Sequence, residues 1–133
     1  MHLDLVLRFQ NTLDKRNQLL KMNQDPHILD AYESTLAEAG AWLMKSRAQF
    51  IAQMTPRFEV ILKEICQFNG TLIYKPGIQV STPLTSSLQD LKGQLVEYWK
   101  KSRESDQNRG FTQRGPQMDD LSLRLEGLSL IHI

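Results

Sequence analysis

A seven-residue rhythm of apolar side chains sets the main limit on what this chain can fold into. Leu29, Leu36, Leu43 and Phe50 stand seven apart within a longer stripe, Leu29, Tyr32, Leu36, Leu43, Phe50, Met54, Phe58, Ile61, Ile65. That period keeps one face of an α-helix against a partner helix along its length. Small residues at Ala37, Ala39, Gly40 and Ala41 let the partner approach closely. Asp25-Pro26, an acid before a proline, marks where this helix starts. Pro56 lies inside the pattern, removes a backbone donor and clashes with the preceding turn, so a kink or a break into two helices is predicted there.

The partner is predicted just upstream. From Leu3 to Met22 the residues Val6, Phe9, Leu13 and Leu20 fall at helical spacing, with Arg16 and Asn17 interrupting the stripe. The short link to Asp25 favours an antiparallel pair. Beyond Asn69-Gly70, a turn signal, the run 71–74 is β-prone, and 78–80 reads as a second short strand. Residues 81–87 form a Pro/Ser/Thr-rich loop whose hydroxyls suit a helix cap. A third helix follows, with Leu88, Leu91, Leu95, Tyr98 and Ser102 on one side. The polar segment 106–117 reads as a connector. The final strand alternates Leu121, Leu123 and Leu125 with Ser122, Arg124 and Glu126 and closes on Gly127. The expected class is mainly α with short β strands (α+β).

Composition excludes more than it proposes. Sixteen basic against fifteen acidic residues leave a net charge of +1, so any nucleic-acid contact needs a local patch rather than the field of the whole chain. No Gly-rich loop ending in Lys-Ser/Thr is present to cradle a triphosphate. His2, His27, His132 and Cys66 lack metal-ligand spacing, and Ser, His and Asp form no nucleophile pattern. No catalytic, cofactor-binding or metal-binding residue is assigned. Cys66 reads as a small apolar filler behind Ile65. No apolar run reaches the roughly 18 residues of a membrane span. The N-terminus lacks a secretory signal, which makes a cytoplasmic location without membrane contact the expectation.

Two groups of residues carry what functional signal there is. Lys100, Lys101, Arg103, Arg109 and Arg114 form the one dense basic region, a candidate phosphate-contacting patch for DNA. Glu97, Glu104 and Asp106 are interspersed, so a solvated helix end is the competing reading. Gly115-Pro116 suggests a tight turn. Asp119-Asp120 could suggest a Mg²⁺-holding acid pair, but such acids follow an apolar strand and here the strand follows them. They read as an entry cap and a solvated strand end.

The stretch Arg109-Gly-Phe-Thr-Gln-Arg-Gly115-Pro116-Gln117-Met118-Asp119-Asp120-Leu121 resembles the Gly-Pro-His-Arg-Asp-Asp-Leu segment of the RecF family, ABC/SMC-type ATPases of bacterial recombination and gap repair. Leu13-Asp-Lys-Arg-Asn17 with Leu19-Leu20-Lys21, Leu29-Asp30, the run from Leu36-Ala37 through Gly40 to Arg47, and Tyr74-Lys75-Pro76-Gly77 resemble further parts of that family in the same order. The likeness covers residues 3–127. Gln117 and Met118 stand where the family usually has His-Arg, and Arg114 precedes the glycine where smaller or apolar residues are common.

The resemblance implies an antiparallel helical arm inserted in a P-loop ABC-type ATPase whose head is largely missing from this chain. Residues 1–105 would be the arm with a small β element, and 106–127 the path back to the head. It implies a cytoplasmic DNA-binding ATPase of replication, gap repair and the SOS response, acting on single-stranded or gapped DNA. ATP and Mg²⁺ would bind the parent, which would form an ATP-dependent homodimer and work with recombination mediator proteins. The piece alone would be inactive. A self-contained helical interaction module is the alternative, and an arm of another SMC-like ATPase a weaker one. Residues 128–133, Leu-Ser-Leu-Ile-His-Ile, resemble the translated transposase end used in sequencing libraries, so natural sequence is expected to end at Gly127; a genuine hydrophobic strand is the alternative.

Overall fold

In the computed structural model, residues 2–22, 25–126 and 130–133 are described. They form helix α1 (His2–Met22), helix α2 (Pro26–Cys66), strand β1 (Gly70–Lys75), helix α3 (Leu88–Arg109), a single 3₁₀ turn (Pro116–Met118), and strands β2 (Asp120–Leu125) and β3 (Leu130–His132). The boundaries follow from local chemistry. The Asp25 carboxylate accepts from the His27 N–H at 2.8 Å, and Pro26 fills the first turn, where no backbone donor is needed. The Ser87 hydroxyl accepts from the Asp90 N–H at 3.1 Å and starts α3. Gly110 ends α3 in the left-handed region, with its N–H on the carbonyls of Asp106 and Gln107.

Side-chain pairs give the helix directions. Arg16 meets Glu33, and a Cβ on Gly40 would lie 3.4 Å from Phe9, so α1 and α2 run antiparallel. Arg103 meets Glu33, Leu95 lies against Gly40, and Lys92 reaches Glu38, so α3 is antiparallel to α2 as well. Phe9, Leu13, Leu36, Ala37, Leu43, Met44, Leu91, Leu95 and Trp99 form the core between the three helices. Gly40 sits at a tight contact between the elements, because a Cβ there would be 3.2 Å from Leu95 and 3.3 Å from Pro116.

The strands form an antiparallel sheet in the order β1-β2-β3. Gly70 pairs with Leu125, Leu72 with Leu123 and Tyr74 with Leu121, which puts these six on one face. That face packs on the distal half of α2, since a Cβ on Gly70 would come within 2.5 Å of the Leu62 side chain. Lys45 ties the loop 81–87 down by donating to the carbonyls of Pro83, Leu84 and Ser86 at 3.4, 3.3 and 2.6 Å.

Several expectations need correction. Pro56 does not split α2, which is one helix of 41 residues. Pro56 and Ala52 are both exposed, so water can reach the Ala52 carbonyl that the missing N–H frees. The seven-residue seam ends early: Leu29, Leu36 and Leu43 are buried, while Phe50 is 60% exposed. Cys66 is exposed at the end of α2 and does not fill the core. Residues 78–80 form no strand, although Ile78 joins the core. The connector starts later than expected, because α3 continues to Arg109. Ser122, expected to face solvent, is buried.

Gly127 and residues 128 and 129 lie outside the described residues. Leu130–His132 pair with Ser122–Arg124 as an added antiparallel strand.

Candidate functional site

The polar side chains of this fold collect in two clusters. The first centres on Arg16, which is fully buried. Its Nε donates to Glu33 Oε2 at 3.0 Å, Nη1 to Asp106 Oδ2 at 2.8 Å and to the Thr112 hydroxyl at 2.7 Å, and Nη2 to the Trp99 carbonyl at 3.0 Å. One guanidinium thus joins α1, α2, α3 and the segment after α3. Glu33 is held a second time by Arg103, at 3.0 and 2.7 Å. Asp106 also accepts from Ser102 at 3.0 Å and from the Gln113 amide at 3.0 Å. Asn17 accepts from the Thr112 N–H and hydroxyl, both at 2.7 Å. One buried cation, Arg16, and one partly buried cation, Arg103, face two buried carboxylates, which avoids the large cost of an unpaired buried charge. The Glu33 hydrogen bond holds the Arg103 guanidinium above its ordinary pKa, and the Arg103 hydrogen bond holds the exposed Asp30 carboxyl below its own.

The second cluster centres on Asp119. Its Oδ2 accepts from Arg47 Nη1 at 2.6 Å and from the Tyr74 hydroxyl at 2.5 Å, and its Oδ1 from the Gly77 N–H at 2.7 Å. Burial, and then the hydrogen bond to Asp119, push the Tyr74 hydroxyl well above its ordinary pKa. Arg47 also donates to the Pro116 carbonyl at 2.8 Å. The Gly115-Pro116 turn is therefore fastened to α2 and to the end of β1. Glycine is required at Gly77, where a Cβ would meet Met118 backbone at 2.3 Å and the Gly115 carbonyl at 2.5 Å. At Gly115 a Cβ would meet only the movable end of Gln117, at 2.4 Å, and the Trp99 ring, at 3.2 Å, and the positive φ of 157° is what favours glycine. The Gln117 Oε1 is buried without a partner among the described residues, while its Nε2 donates to the Thr112 carbonyl at 3.2 Å.

This arrangement corrects the reading of Asp119 as a solvated strand end, for its side chain is only 7% exposed. Asp120 opens β2 and lines an open cleft of about 1210 Å³ together with Arg8, Trp42, Phe50 and Leu121. Gly115, Pro116 and Asp119 come together as one fastening, and sequence reasoning missed its partners Arg47, Tyr74 and Gly77. Arg16 and Glu33 were missed too, though a signal for both existed. Leu13, Arg16, Leu20 and Leu29, Glu33, Leu36 place a charge at a core position of each stripe, which requires an opposite charge nearby.

The five basic residues separate into two sets. Arg103 is turned inward on Glu33 and Asp30. Lys100 lies 3.9 Å from Asp30, and Lys101 2.9 Å from Glu97. Arg109 and Arg114 are exposed and make no ion pair within 4.0 Å among the described residues. Asp119 does not suit a metal-bound nucleotide, because both carboxylate oxygens already face donors. No described helix is long and apolar enough to cross a membrane.

Fold and clusters together define a mostly helical unit with a small antiparallel sheet, whose buried charged side chains bind its own elements to one another. No family model matches the chain. It is similar to the DNA replication and repair protein RecF of Alkaliphilus oremlandii, with 29% identity over 126 residues, 92% of this chain and 34% of the relative. RecF of Shouchella clausii is 31% identical over 127 residues, 94% of this chain and 33% of the relative. RecF of Myxococcus xanthus is 30% identical over 125 residues, 91% and 33%. Among solved structures, RecF of the RecFOR pathway bound to an ATP analogue superposes with a TM-score of 0.86 at 24% identity, over 96% of this chain and 35% of that one. The ATP-bound form gives 0.85. The chain fits a fragment of RecF and spans about a third of the length of the curated relatives it matches.

Proposed function

We propose that this chain is part of a RecF-like, DNA-binding ATPase of replication and recombinational gap repair with a place in the SOS response, and that it forms the helical arm and its return toward the head. One observation supports the reading: 92% of the chain aligns with a RecF relative at 29% identity and 96% of it superposes on a RecF structure, each over about a third of the length of RecF. The names of those relatives, a replication and repair protein and a recombination mediator, supply the activity proposed for the whole. ATP with Mg²⁺, an ATP-dependent homodimer, mediator proteins and a cytoplasmic location belong to the proposed parent. The arm's role is mechanical. Its three helices are cross-braced by Arg16, so movement at the Gly115–Asp119 turn is carried into the bundle rather than absorbed by it.

DNA contact by the arm is proposed for Arg109 and Arg114, with Lys101 and Lys100 at the margin, because Arg103 is committed to Glu33. The test uses the whole protein encoded by the surrounding reading frame. That frame should hold a phosphate loop upstream, and a Gly-Gln-Gln signature with an apolar strand ending in Asp-Asp downstream. Arg109→Glu with Arg114→Glu should weaken binding to gapped DNA and lower its salt slope. A frame without a nucleotide-binding signature would overturn the assignment, while unchanged affinity and salt slope would remove only the patch.

A further inference from the structure

We draw no further inference here: the strongest candidate, the open cleft between the start of α1, the middle of α2 and the turn into β2, where Trp42 and Phe50 are exposed, carries none because nothing in the structure shows what covers it.

Discussion

Replacing Arg16 by methionine tests the bracing of the bundle most sharply. The substitution keeps an unbranched apolar stem of similar reach and removes the guanidinium with its contacts to Glu33, Asp106, Thr112 and the Trp99 carbonyl. Removing one partner of a buried ion pair costs about 3–5 kcal/mol, because the opposite charge stays buried and uncompensated. Here the compensation is unequal. Glu33 keeps both bonds from Arg103, whereas Asp106 keeps only the neutral donors Ser102 and Gln113. The loss should therefore fall near the lower end, about 3 kcal/mol, and most of it should come from Asp106. Urea unfolding of Arg16→Met, Asp106→Asn and the double variant measures both numbers. The double variant should cost clearly less than the sum of the single ones. A loss below about 1 kcal/mol, or strict additivity, would refute the idea that this guanidinium braces the helices.

Other consequences follow from the same contacts. Asp119→Asn should destabilise the fold by about 1.5–3 kcal/mol, a range set by hydrogen bonds to a charged group and kept modest because Arg47 is about a third exposed; thermal unfolding reads it. Gly77→Ala drives a methyl into the backbone of the Gly115–Met118 turn, so a loss of at least about 1–3 kcal/mol is expected, and full stability would show that the turn is not fixed there. Tyr74 has a raised folded-state pKa, so its contribution is complete below its ordinary value of 10.0 and declines as the pH rises beyond it. Tyr74→Phe should narrow its stability gap to the parent above that pH, and a gap constant into strong alkali would contradict the assignment. Arg103→Glu should unfold the chain rather than selectively alter DNA binding, because it places a third carboxylate beside Glu33 and Asp30.

The sequence was most legible where one residue's chemistry decides a local outcome. Asp25-Pro26 and Ser87 start helices and Leu36 and Leu43 lie in a helix seam, while Gly70, expected in a turn, opens strand β1. Antiparallel pairing followed from a short link. Reading became unreliable where distant segments decide. Phe50 and Ile65 continue the α2 stripe but extend past the partner helices, so the pattern overstates the core. Trp99 fell outside the expected face of α3, yet it is fully buried with its indole N–H on the Arg114 carbonyl at 2.9 Å. The polar composition of residues 106–109 suggested a connector, but Asp106 is needed inside the helix to meet Arg16, 90 positions away. The Gly-Pro-x-x-Asp-Asp motif was recognised by likeness, while its local physics depends on Arg47, Tyr74 and Gly77, which a linear reading does not bring together.

Titrating ATP into this chain and, in parallel, into the whole protein encoded by its surrounding reading frame tests whether the chain is one part of a larger ATPase. Saturable binding and hydrolysis are expected for the whole protein, and neither for the chain alone. Hydrolysis of ATP by these 133 residues unaided would contradict that expectation.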